Sequence, residues 1–154
     1  MELNTSRFGK IKYISKNVIV FLEGLPGFSQ FNKYIIIDQK KHRPFMWLQC
    51  IENENLAFVV TNPYMFVNSY FVNIPDEDLK ALNVPVVEDL RILVMVVIPK
   101  DNPQEISINL QGPIFINIRD MTAKQVILYN SNYQVKHFIF SKIQTVETQM
   151  AYAE

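Results

Sequence analysis

Lys10-Ile11-Lys12-Tyr13-Ile14-Ser15-Lys16-Asn17-Val18-Ile19-Val20-Phe21-Leu22-Glu23-Gly24-Leu25-Pro26-Gly27 shows in one run how this chain is built. Its first four residues alternate polar and apolar, as a strand buried on one face must. Residues 18–22 are a short apolar run, stopped where two glycines and a proline mark a turn. The pattern recurs. Strands are predicted over 34–37, 46–51, 56–60, 70–74, 91–98, 106–110, 114–118, 125–129 and 133–140, many rich in Val, Ile, Phe and Tyr. One helix is predicted, at Pro75-Asp76-Glu77-Asp78-Leu79-Lys80-Ala81-Leu82, where proline and three acids suit a helix N-terminus and Pro85 stops extension. In the tail, 141–154, Ile143, Val146 and Met150 stand at helical spacing, so it reads as a short helix or an unanchored end. Short strands with almost no helix between them favour an antiparallel barrel or sandwich over a parallel α/β sheet.

Composition narrows the function. The chain has 154 residues, 49% hydrophobic and 19% charged, which suits one domain with its own core and excludes a disordered tail protein. Fifteen basic and fifteen acidic residues give no net charge, which argues against direct nucleic-acid or membrane-surface binding. The single cysteine, Cys50, excludes an internal disulfide and a multi-thiolate zinc site. Residues 1–7 lack the basic-then-apolar order of a signal peptide, and the longest apolar run, 92–98, is far short of the ~20 residues of a membrane span. The expectation is a soluble cytoplasmic protein. Charge is uneven, however. Residues 1–50 carry eight basic and three acidic side chains, whereas residues 51–90 carry one and seven. Such asymmetry gives a folded surface two poles if the segments map onto patches.

The catalytic inventory is thin. Cys50 sits in the apolar run Trp47-Leu48-Gln49-Cys50-Ile51 and reads as a small buried hydrophobe. His42 belongs to a basic loop, and His137 reads as a core or rim histidine. No metal-binding spacing and no phosphate-binding glycine loop is present, and Asp76, Glu77 and Asp78 are accounted for by the helix start. No enzyme, cofactor or metal is expected. Asn62-Pro63-Tyr64-Met65-Phe66-Val67-Asn68-Ser69-Tyr70 reads as an aromatic-rich connection. Its rings are either anchors for a protein partner or a cover for one end of the barrel.

An ordered set of motifs carries a family resemblance: Phe21-Leu22-Glu23-Gly24-Leu25-Pro26-Gly27-Phe28, Pro44-Phe45-Met46-Trp47-Leu48-Gln49, Leu56-Ala57-Phe58-Val59-Val60 leading to Asn62-Pro63, Asn109-Leu110-Gln111-Gly112-Pro113-Ile114 and Gln125-Val126-Ile127-Leu128, then Tyr133 and His137. The chain resembles FliW, the bacterial flagellar assembly factor, from about residue 9 to 140. Asn62, Cys50, Gly112 and Lys136 stand where the family commonly has Asp, Ser, Ala and Arg.

The resemblance implies a small antiparallel β-barrel-like domain over 1–140 without enzymatic activity, monomeric when free. It also implies two protein partners: flagellin, held in the cytoplasm before export, and CsrA, an RNA-binding repressor of flagellin synthesis. Freed by export of flagellin, the protein would bind CsrA and lift the repression. An RNA-binding partner must carry basic surface. The acids Glu52, Glu54, Glu88 and Asp89 are therefore expected to face CsrA, with Tyr64, Phe66 and Tyr70 as anchors. The rival readings, an oligonucleotide-binding barrel and a small-ligand barrel, leave the ordered motifs unexplained.

Overall fold

In the computed structural model, which describes residues 1–140, the strands are β1 (Glu2–Thr5), β2 (Gly9–Lys12), β3 (Ile19–Phe21), β4 (Lys33–Ile37), β5 (Phe45–Cys50), β6 (Ala57–Thr61), β7 (Leu90–Val97), β8 (Ser107–Ile108), β9 (Ile114–Asn117), β10 (Thr122–Gln125) and β11 (His137–Phe138). The single α-helix among the described residues, α1 (Asp76–Ala81), lies where the sequence predicts it. The expectation for the tail falls outside the described residues.

Seven strands close a barrel in the order β3-β4-β5-β6-β7-β9-β10. Closure comes from β10 lying parallel to β3, with Ala123 opposite Phe21. The remaining pairs of the barrel are antiparallel, as predicted. Alternation sends Met46, Leu48 and Cys50 of β5, Val60 of β6, Leu93 of β7 and Ile114 and Ile116 of β9 into one buried core.

The outer faces of β7 and β9 are covered too. Val94 and Val96 pack with Tyr70, Ile106, Ile108, Leu110 and Ile139, and Phe115 packs with Leu82, Val126 and Leu128. Burial on both faces explains why residues 92–96 are apolar without alternation, whereas Val97 and Ile98 at the end of the run are exposed. Along one edge, β7 pairs first with β9 and then with β8, and residues 109–113 bow out between them. Asn109 Oδ1 accepts the N–H groups of Gln111 (3.1 Å) and Gly112 (2.9 Å), and Gln125 Nε2 donates to the Gly112 carbonyl (2.9 Å).

Four predicted strands are corrected, the 106–110 prediction shrinking to Ser107–Ile108. Residues 70–74 form none; they lie against the barrel as part of the 62–89 connection, with Tyr70 buried. The 125–129 prediction is displaced to Thr122–Gln125, beyond which Val126 and Leu128 donate to the carbonyls of Pro113 and Gln111. The 133–140 prediction shrinks to His137–Phe138, because β8 offers only a two-residue partner. One hairpin, β1–β2, was not predicted as such; its Phe8 meets Trp47 edge-on at 5.5 Å.

Helix α1 ends in a left-handed Asn83 (φ 53°), with Val84 N–H donating to Leu79 O and Asn83 N–H to Lys80 O. Asn117 Nδ2, buried in β9, donates to Leu82 O at 2.7 Å and ties that helix end to the barrel. Lys124 Nζ of β10 meets Asp78 Oδ1 at 2.6 Å. The acid assigned from sequence to the helix start alone thus also docks the helix.

Candidate partner-binding surfaces

The connection after β6 opens with Asn62, whose Oδ1 accepts the Tyr64 N–H at 3.0 Å and starts a single 3-10 turn, Pro63–Met65. That turn directs Tyr64 and Met65 outward, at 40% and 63% exposure. Phe66 is half-buried and stacks on Phe45 at 6.1 Å. Tyr70 is in the core: its hydroxyl donates to Leu110 O at 2.6 Å and its ring meets Tyr133 at 4.7 Å. The segment is divided between solvent and core. Tyr64 is presented to solvent, Phe66 is shared, and Tyr70 is a brace with no free surface for a partner.

The largest exposed rings lie just beyond. Phe71 (79% exposed) and Tyr129 (82%) share a groove of about 390 Å³ with Asn73, Pro75, Ile127 and Ser131. Tyr133 sets its wall by accepting the Phe71 N–H at 2.8 Å. Exposed aromatic rings in a concave surface are the composition of protein-binding hot spots. Sequence reasoning missed this pair because both residues fell inside predicted strands. The turn residues Asn130-Ser131-Asn132 directly after Tyr129 were the available signal.

The four acids do not form one patch. Glu52 and Glu54 sit on the turn between β5 and β6, whereas Glu88 and Asp89 precede β7. Because β7 runs antiparallel to β6, with Val96 opposite Val59, those two pairs occupy opposite ends of the barrel. Asp89 pairs with Arg119 at 3.5 Å, and Glu88 is exposed. Glu52 Oε1 accepts the backbone N–H groups of Asn32 (2.7 Å) and Lys33 (2.9 Å), so part of its charge serves the fold. Glu54 is exposed and makes no ion pair among the described residues.

Titratable groups are arranged for stability. Burial pushes the Cys50 thiol up, which suppresses the nucleophilic thiolate. The hydrogen bond to Asp78 holds Lys124 above its ordinary value. Among the described residues no group of three or more His, Cys, Asp or Glu side chains is placed to hold a metal, and no helix is long and apolar enough to cross a membrane.

A family model described as "FliW protein" matches residues 2–139. The chain is 41% identical to a flagellar assembly factor FliW of Thermoanaerobacter pseudethanolicus, over 94% of this chain and 96% of that one. It is 35% identical to another from Leptospira biflexa, over 97% of both. Its fold is similar to a crystal structure of a flagellar assembly factor FliW, with a TM-score of 0.85, 31% identity, and coverage of 91% of this chain and 97% of that one.

Proposed function

The chain belongs to the FliW family of flagellar assembly factors, and from that premise we propose that it acts by exclusive binding of two protein partners in the cytoplasm. One is flagellin, held before export as by a chaperone. The other is the translational repressor CsrA, bound and antagonised when flagellin leaves. The observation that supports partner binding is the groove with Phe71 and Tyr129 at 79% and 82% exposure, which the barrel's own cores do not use. Rings of this size left in water are costly to keep unless a partner covers them. Exclusive binding requires overlapping surfaces or coupled states. Separate titrations against purified flagellin and purified CsrA test the reading, with the Phe71→Ser, Tyr129→Ser double variant beside the unaltered protein. Binding of both partners, with at least one weakened about tenfold by the double variant, supports it. Two unaltered affinities overturn the role of the groove, and no binding overturns the function.

A further inference from the structure

Three of the chain's four arginines are committed within the fold. Arg43 grips Asp38 through Nε (3.0 Å) and Nη2 (3.1 Å), Arg119 pairs with Asp89 at 3.5 Å, and the Arg7 guanidinium lies 4.2 Å above the Trp47 ring. Arg91 differs. It is exposed and makes no ion pair among the described residues, and its Nη2 donates to the Met46 thioether at 3.3 Å. A thioether is a weak acceptor, so the contact places the guanidinium without satisfying it.

Arg91 stands near the start of β7, at the barrel end that carries the β4–β5 loop. It lies opposite Ile116 in the β7–β9 ladder and two residues before Leu93, both in the barrel core, so alternation turns its side chain to the barrel mouth. There a depression of about 450 Å³ is lined by Asp38, Arg43, Pro44, Met46, Asn62 and Met65. Both oxygens of its one carboxylate, Asp38, are taken by Arg43. That hydrogen bonding, with a smaller contribution from the Arg91 charge, holds Asp38 below the ordinary carboxylate range. The bordering loop adds Lys40 and Lys41 in a single 3-10 turn, both exposed and neither in an ion pair among the described residues.

Fixed cations around an apolar depression whose own carboxylate is engaged select a segment of the opposite pattern, an apolar side chain flanked by carboxylates. A guanidinium takes a carboxylate through two parallel N–H donors, and methionine adapts its shape to an apolar side chain. The lining holds no aromatic ring on which a nucleic-acid base could stack. We propose that this barrel mouth docks an acidic amphipathic segment of a protein partner, its apolar side chain against Pro44 and Met65 and a carboxylate on the Arg91 guanidinium. Lys40 and Lys41 steer its approach. The site shares no lining residue with the Phe71–Tyr129 groove, so the barrel carries two docking surfaces.

The test is a fluorescence-anisotropy titration with a labelled peptide repeating Glu-Leu-Ser, a matched repeat of Lys-Leu-Ser and a labelled oligouridine, at low and high salt. The expected result is salt-sensitive binding of the Glu peptide alone. Arg91→Gln should weaken it about tenfold, as should the joint Lys40→Glu, Lys41→Glu change in the exposed turn. Lys100→Glu, beyond the opposite end of β7, should leave it unchanged, and so should the Phe71→Ser, Tyr129→Ser double variant. No binding of the Glu peptide, preference for the oligouridine, or equal loss from Arg91→Gln and Lys100→Glu overturns the site. Loss in the groove variant overturns its separateness. The inference rests on the reading that this protein works by binding protein partners, and the two fail separately. Flagellin and CsrA binding without any peptide binding sinks this site alone. Peptide binding that depends on Arg91, without binding of either protein, sinks the partner assignment alone.

Discussion

The Tyr133 hydroxyl accepts the Phe71 backbone N–H at 2.8 Å, joining the end of the aromatic connection to the segment after β10. The bond fixes the backbone under one of the two exposed rings of the groove. Tyr133→Phe removes the acceptor and keeps the ring that packs on Tyr70. Stability should fall by about 1 kcal/mol, while binding of the partner that uses the groove weakens. Thermal melts and titrations check the two effects. Full binding by a destabilised variant would show that the ring position is not set by this bond.

Two buried tyrosines should respond in opposite directions. The Tyr70 hydroxyl donates to Leu110 O at 2.6 Å, so Tyr70→Phe orphans a buried carbonyl and should cost about 1–3 kcal/mol. The Tyr34 hydroxyl is buried with no partner among the described residues, so Tyr34→Phe should leave stability equal or raised. Urea unfolding of both variants decides. A loss for Tyr34→Phe matching that for Tyr70→Phe would contradict the packing described for the barrel interior.

The glycines of Gly24-Leu25-Pro26-Gly27 are not equivalent. Both have positive φ, 65° and 83°. A Cβ on Gly24 would lie 2.7 Å from the Ser29 Cα, whereas one on Gly27 would meet nothing within 4 Å. Gly27→Ala should cost about 1–2 kcal/mol, the penalty for a left-handed residue. Gly24→Ala should cost more, because backbone must also move. Equal melting temperatures for the two variants would contradict this.

The Lys124–Asp78 pair at 2.6 Å predicts a pH dependence. The folded-state lysine is raised above its ordinary 10.5, so its stabilising effect is fully present below that value. It is lost as pH rises through the raised value. Asp78→Asn should therefore lower stability at neutral pH by about 2 kcal/mol and flatten the alkaline decline. Tyr34 and Tyr70, both pushed up by burial, contribute a further alkaline loss common to the protein and this variant. Urea midpoints measured on either side of 10.5 isolate the lysine as the difference between the two. Parallel curves would contradict it.

Strand runs and the helix at Asp76–Ala81 were legible because period and turn residues are local properties. The second core was not, since nothing in 70–74 distinguishes a β-rich segment that pairs from one that packs on a sheet's outer face. Tyr70 illustrates the cost. Its aromatic character suggested a surface anchor, and only the bond to Leu110, forty residues away, makes it a brace. Glu52, Glu54, Glu88 and Asp89 looked like one acidic segment, but antiparallel pairing of β6 and β7 separates them. Register settles which charges share a surface, and register is a long-range property.

The most direct measurement of the partner switch is a titration of the protein with CsrA, repeated with flagellin present. Binding that flagellin abolishes and that added salt weakens is the expected result. CsrA binding that persists unchanged under saturating flagellin would contradict it.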